Sequence, residues 1–232
     1  MSTLKPTRKV SRRHELREDT VVTLYARAID IYENQRNLVY GAIGGLALIV
    51  LVIVGLAWNS SVRNERALSE MAFAVDRYED GAYQAALDGD ITFTGLIDIA
   101  EEYGGTPSGN LATFYAADAL YRVGDYDRAL EYFRKYDKSA DYLGASALAG
   151  EAAILEMRGE HEEAGDLYLR AARMFTSSIS TPNYLMDAGR AFTAAGESSK
   201  AANAYEEVKS EWPESAAAQN IDFYLASVAA AN

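Results

Sequence analysis

No cysteine occurs anywhere in the 232 residues, and there are only four prolines and two histidines. The first absence excludes disulfides, thiol nucleophiles and cysteine-ligated metals, and is compatible with oxidising and reducing compartments alike. The scarcity of proline removes the strongest helix breaker and favours long helices. His14 and His161 have no second histidine at metal-ligand spacing, and His161 stands among Glu160, Glu162 and Glu163 in what reads as an exposed turn. The Gly-rich pieces lack the Lys-Ser/Thr of a phosphate loop. Acidic pairs such as Glu101/Glu102, Glu162/Glu163 and Glu206/Glu207 sit in helical contexts as solvated charges, with no nucleophile–base set beside them. The expectation is a protein that is not an enzyme and uses no cofactor or metal.

Positive charge is also scarce, and its placement matters more than its amount. The net charge is −12. Residues 1–36 hold eight Lys/Arg against five Asp/Glu, whereas the chain beyond the apolar run that follows holds 14 basic and 29 acidic residues. A basic head and an acidic body on either side of an apolar run is the pattern of a membrane protein with two aqueous faces. The acidic body argues against nucleic acid as a partner, because phosphate binding needs the opposite sign.

The run itself, LVYGAIGGLALIVLVIVGLAW over residues 38–58, has 21 residues without a charge. At ~1.5 Å per residue it spans about 30 Å, the thickness of a bilayer's hydrocarbon core. Tyr40 and Trp58 lie near its ends, where amphipathic rings prefer to sit. The run exceeds the core of a signal peptide and follows a 37-residue tail, so an uncleaved transmembrane helix is expected. Lys5, Arg8, Lys9, Arg12, Arg13 and Arg17 orient the tail towards the cytoplasm. Within the run, Gly41 and Gly45 form a GxxxG pair that lets two membrane helices approach closely, although glycine is common in such helices anyway. Before it, Val21, Leu24, Tyr25, Ala28 and Tyr32 recur at helical spacing and predict an amphipathic helix within a basic tail of residues 1–37.

Beyond the run, residues 63–232 read as a repeat. GDYDRALEYF starts at Gly124, GEHEEAGDLY at Gly159 and GESSKAANAY at Gly196, spaced by 35 and 37 residues. Five residues after each glycine comes alanine, and four later an aromatic ring: Ala129/Phe133, Ala164/Tyr168, Ala201/Tyr205. Seven residues before each stands a small residue, Ala117, Ala152 or Gly189. The glycine suits a left-handed turn that closes the first helix of a hairpin, and small residues let helices cross closely. A degenerate first copy is centred on Gly81, with Ala74 and Ala86 in phase and about nine inserted residues around DGDITFTG, 88–95. Residues 216–229 read as a capping helix, which a solenoid needs over its last apolar face. The predicted fold is all-α: one N-terminal transmembrane helix, a solenoid of about four hairpins, and a C-terminal cap.

These residues resemble the tetratricopeptide repeat family across residues 67–215, with Thr113, Leu148 and Leu185 where the family usually carries a bulky aromatic. The layout is also similar to bacterial inner-membrane tetratricopeptide proteins of the YfgM-like type, ancillary to the Sec translocon. The residues that carry this second likeness are Asp88-Gly89-Asp90, Phe93, Gly95, Ile99-Ala100-Glu101-Glu102-Tyr103, Gly105-Thr106, Gly109-Asn110-Leu111-Ala112 and Tyr115. It implies a single-pass inner-membrane protein with a cytoplasmic tail and a periplasmic repeat domain.

First-helix side chains would then line a groove that binds partner proteins, such as translocon or envelope components or exported chains. Met71, Phe114, Asp118, Tyr121, Met157, Met186 and Arg190 are the candidate contact residues, alongside Leu68, Val75, Tyr78, Leu111, Ala149, Ala153 and Asn183. Flexible methionines and amphipathic tyrosines suit weakly selective binding of apolar segments. Asp118, between Phe114 and Tyr121, is costly to bury unpaired, which argues that this face meets solvent or a partner. The alternative from a different class is a self-associating envelope scaffold, a homodimer through Gly41/Gly45 and the terminal repeat.

Overall fold

A computed structural model describes residues 35–230 together with Tyr25, Tyr32 and Glu33. The amphipathic helix expected over residues 21–32 therefore lies, apart from Tyr25 and Tyr32, outside the described residues. The chain divides after Asn59 into two units.

The first unit contains the apolar part of helix α1, Arg36–Glu79. By length and composition α1 can cross a membrane: an 18-residue window has mean hydropathy 2.6 and none of it is buried. The membrane span was expected over residues 38–58; the helix that contains it runs on without a break to Glu79. Residues 59–79 contain neither glycine nor proline and are rich in Ala, Glu and Arg, so nothing in the backbone interrupts the hydrogen-bond ladder.

In the second unit, α1 from Ser60 onward supplies the first helix of the first hairpin. Then follow α2 (Tyr83–Asp88), α3 (Leu96–Tyr103), α4 (Pro107–Val123), α5 (Tyr126–Lys135), α6 (Tyr142–Met157), α7 (His161–Met174), α8 (Ser180–Ala195) and α9 (Ser198–Glu211). A 3-10 turn, Ala216–Asn220, and α10, Ile221–Ala230, complete the unit. Among the described residues there is no strand, only an isolated bridge between Gly89 and Thr94. α4/α5, α6/α7 and α8/α9 are the three regular hairpins, and the second helix of the first hairpin is split into α2 and α3.

The four phase-marking glycines all take left-handed backbone, with φ of 77° at Gly81, 85° at Gly124, 82° at Gly159 and 80° at Gly196. After each, the next amide reaches back five residues, Ala82 to Arg77, Asp125 to Leu120, Glu160 to Leu155 and Glu197 to Phe192, at 2.9–3.0 Å. That bond closes a Schellman motif, which satisfies carbonyls at the end of the first helix and lets the chain reverse. Second helices start on side-chain caps where the sequence supplies one: Asp125 accepts from the Arg128 amide at 3.3 Å.

Hairpins are welded by rings pressed on glycines. A Cβ added at Gly150 would lie 2.4 Å from Phe133, at Gly165 2.6 Å from Phe192, and at Gly189 2.3 Å from Tyr205. Ala129, Ala164 and Ala201 are fully buried, as are Ala117 and Ala152. Under the third hairpin, Glu151 of α6 is 8% exposed and accepts from Arg134 of α5 at 2.8 Å, with the Lys138 ammonium 3.9 Å away. Burial lowers the Lys138 pKa, and Glu151 opposes that shift.

The insertion is the loop 89–95. Gly89, with φ 66°, bridges Thr94, and the Asp90 carboxylate accepts from the Thr92 amide at 2.6 Å. At the other end Ile221 and Val228 of α10 are buried, and Tyr224 lies 5.3 Å from the Tyr205 ring, so the cap covers α9. The cap was expected as one helix from 216. Its first turn is instead 3-10, with Ser215 capping the Ala218 amide at 3.3 Å and Ala217 and Ala218 partly buried against the core.

Candidate binding groove

Side chains from successive first helices meet along one face of the second unit. Asn64 of α1 accepts from the Ser108 amide of α4 at 2.8 Å, and Tyr78 of α1 donates to Asp118 of α4. Ser146 of α6 and Tyr184 of α8 lie 3.4 Å apart, and Arg190 of α8 reaches Glu156 of α6. These contacts tie α1 to α4 and α6 to α8 in a face of stacked helices.

Charge on this face is gathered into two networks. In the first, Asp118 accepts from Arg122 one turn on and from the Tyr78 hydroxyl. The Arg122 guanidinium also donates to the Tyr83 hydroxyl at 3.2 Å and lies 5.1 Å and 5.8 Å from the Tyr83 and Tyr78 ring centres. In the second, Arg190 holds both Glu156 oxygens at 3.1 Å and Asp187 at 2.9 Å. The Asp118 and Glu156 hydrogen bonds raise the pKa of their arginines and keep them charged. Burial raises the pKa of Tyr78, helped by Asp118, and that of Asp187 against the pull of Arg190.

The expected contact residues separate into three groups. Met157 stands 52% exposed and Leu68 55% exposed, while Leu111, Tyr121, Ala149, Ala153 and Met186 are half-buried. Asp118 and Arg190 are engaged in the two networks. Met71 leaves the groove: at 5% exposure it is a core residue, on the same stripe of α1 as Ala67 and Ala74. Phe114 also turns away from a shared patch with Tyr121 and Met157. Its ring lies 5.5 Å from Tyr136 and 6.4 Å from Phe133, across the hairpin to α5, while Tyr121 stacks on Tyr126 at 5.5 Å. Asp118, from whose burial cost the face was expected to meet solvent or a partner, is already partnered within the chain by Arg122 and Tyr78.

Three groups here were not named from the sequence: Arg122, Glu156 and Asp187. The spacing of Asp118 and Arg122, i and i+4, and of Asp187 and Arg190, i and i+3, was a readable signal for helix-surface ion pairs. The reach of Glu156 to a residue 34 positions away was not. Gly41 and Gly45 lie on the apolar part of α1, where an added Cβ would meet nothing within 4 Å. In the insertion, Ile91 is completely exposed at the tip of its loop.

Comparison with known proteins bears on the fold. No protein-family model matches the chain, and no curated protein sequence matches it. Among solved structures it is similar to a putative kinesin light chain of Podosopora anserina with nearly identical TPR-like repeats. The TM-score is 0.53 at 18% sequence identity, covering 73% of this chain and 88% of that one. A single-substitution variant of that same protein matches with the same TM-score and identity over 87% of its length. The chain has an all-α fold of tetratricopeptide-like repeats.

Proposed function

We propose that this chain is a membrane-anchored protein-binding scaffold. The apolar part of α1 spans a bacterial inner membrane, the N-terminus lies in the cytoplasm, and the repeat unit works in the periplasm. It is ancillary to the Sec translocon or another envelope complex, and the first-helix face holds partner or exported polypeptides. The observation that carries the reading is that face itself: exposed Leu68 and Met157 and half-buried Tyr121 and Met186 on helices stacked into a scaffold. Apolar side chains presented on a rigid surface bind without a large ordering cost. A photo-crosslinker at position 157, activated in intact membranes, tests it. The expected adducts are with translocon subunits, other envelope proteins or exported chains, and their absence from a folded, membrane-inserted protein refutes the reading. For the orientation, a reporter active only outside the cytoplasm is expected to work when fused after Asn232 and to stay silent at the N-terminus.

A second reading, a self-associating scaffold, is favoured by the open surface at Gly41 and Gly45. Small residues four apart let membrane helices pack closely. Adducts with a second copy alone, lost on Gly45→Leu, would support it over the first.

A further inference from the structure

We propose that Asp118 and Glu156 mask the two groove arginines, so that the face takes uncharged, apolar extended segments and refuses anionic ones. This inference rests on the reading of the first-helix face as a polypeptide-binding groove and names what that groove selects.

A ligand on this face would meet the arginines before their carboxylates. Arg122 and Arg190 are the outer members of their networks, with side chains 45% and 55% exposed. Their carboxylates lie deeper: Asp118 is 23% exposed, Glu156 22% and Asp187 33%. A segment lying on the face would therefore touch guanidinium groups whose charge is already balanced from below. The first network sums to zero, and the second, two carboxylates around one guanidinium, to −1.

The Nε edge of each guanidinium is also engaged inside the protein. Arg190 uses Nε and one terminal nitrogen on Glu156 and the other terminal nitrogen on Asp187. Arg122 commits Nε to Asp118 and a terminal nitrogen to Tyr83, with its faces towards two tyrosine rings. A carboxylate ligand therefore finds the side-on grip through Nε already taken on both arginines, and an anion gains little where no net positive potential exists. Between the networks stand Tyr121, Ala149, Ala153 and Met157, an apolar and adaptable strip. The body around it is strongly acidic, so on the near-neutral strip an apolar chain meets little net charge of either sign. Recognition then needs neither a free C-terminus nor an acidic side chain. Internal segments of unfolded polypeptides have that chemistry.

The test uses the full chain in nanodiscs and two labelled peptides read by fluorescence anisotropy. One is a ten-residue, C-terminally amidated peptide with a Leu-Val-Tyr-Leu centre in Ser/Gly flanks; the other has the same centre with three aspartates and a free carboxylate. The unmodified protein is expected to bind the amidated peptide at least fivefold more tightly. In the double variant Asp118→Asn, Glu156→Gln, which raises the charge of the face by two, that preference is expected to shrink or reverse. A wild-type preference for the acidic peptide overturns the masking proposal while leaving groove binding intact. If neither peptide binds, the groove reading itself fails and the proposal with it. Should the double variant melt at low temperature, a salt series on the unmodified protein decides. Acidic-peptide affinity that falls as salt rises means an unmasked cationic face and refutes the proposal, whereas affinity that holds or rises supports it.

Discussion

The ring of Tyr205 against Gly189 offers the sharpest test of how the hairpins are held together. Substituting Gly189→Ala adds one methyl group whose carbon would lie 2.3 Å from the ring, where ordinary contacts begin at 3.4 Å. Either the ring or the α8 backbone must give by about an ångström. Tyr205 is 1% exposed and backed by Tyr224 of the cap at 5.3 Å, so the ring cannot swing into solvent. Overpacking of this kind costs about 1–3 kcal/mol, and the closeness of the contact puts it at the upper end. Alanine's better helix propensity returns about 1 kcal/mol. The net loss is about 2 kcal/mol, and for a unit of 173 residues this lowers Tm by roughly 4–8 °C. The assay is thermal melting of the full chain in detergent, followed by circular dichroism. Gly105→Ala serves as the control, because an added Cβ there meets nothing within 4 Å. A double-mutant cycle with Tyr205→Leu isolates the contact, since most of the alanine penalty is expected to vanish once the ring is gone. A Gly189→Ala protein that melts higher than the parent would show that the ring yields freely, and the packing argument would be wrong.

Three further outcomes are expected. Replacing Ala164, fully buried on α7, by Leu is expected to cost about 1–3 kcal/mol in the same melt, the penalty for filling a closed helix crossing. Glu151→Gln leaves Lys138, whose side chain is 16% exposed, without its carboxylate, and is expected to cost about 3 kcal/mol in a urea titration. Burial raises the tyrosine pKa at positions 132, 136, 168, 184 and 205 above 10.0, and burial with help from Glu70 pushes Tyr103 up to about 12. Because the folded state holds these protons more tightly than the unfolded one, their stabilisation is complete below pH 10 and is lost as pH rises towards 12 and beyond. Phenolate absorbance recorded alongside helicity checks this: ionisation of these rings should lag free tyrosine and coincide with unfolding.

Much of the fold could be read because the repeat writes its geometry in residues that have few substitutes. Gly124, Gly159 and Gly196 recur in phase, and each occupies a left-handed turn that other residues rarely adopt. Even the degenerate copy was legible, since Gly81 keeps the phase and the surplus residues around 88–95 surface as a loop. The groove was read less well. Met71 and Phe114 fall on the correct helices, but helical spacing does not tell which neighbour a side chain meets. That depends on how far Tyr136 and Phe133 lean across from the next helix. The cost of burying Asp118 was weighed without Arg122, four residues away and visible, which partners it within the chain. The continuity of α1 through residues 59–79 was not foreseen, because an apolar run says nothing of where a helix ends, which depends on where the backbone is stopped.

The loop 89–95 interrupts the second helix of one hairpin and leaves the others whole. In a linear array of repeats, cohesion is the sum of each unit's own stability and its couplings to its neighbours. A pair whose second helix arrives as six and eight residues, α2 and α3, forms fewer consecutive backbone bonds than its neighbours. Helix formation is cooperative, so short pieces depend more heavily on what they lean against. The array is thus weakest at its first hairpin. Amide hydrogens of α2 and α3 should exchange with solvent well before those of α7 and α8.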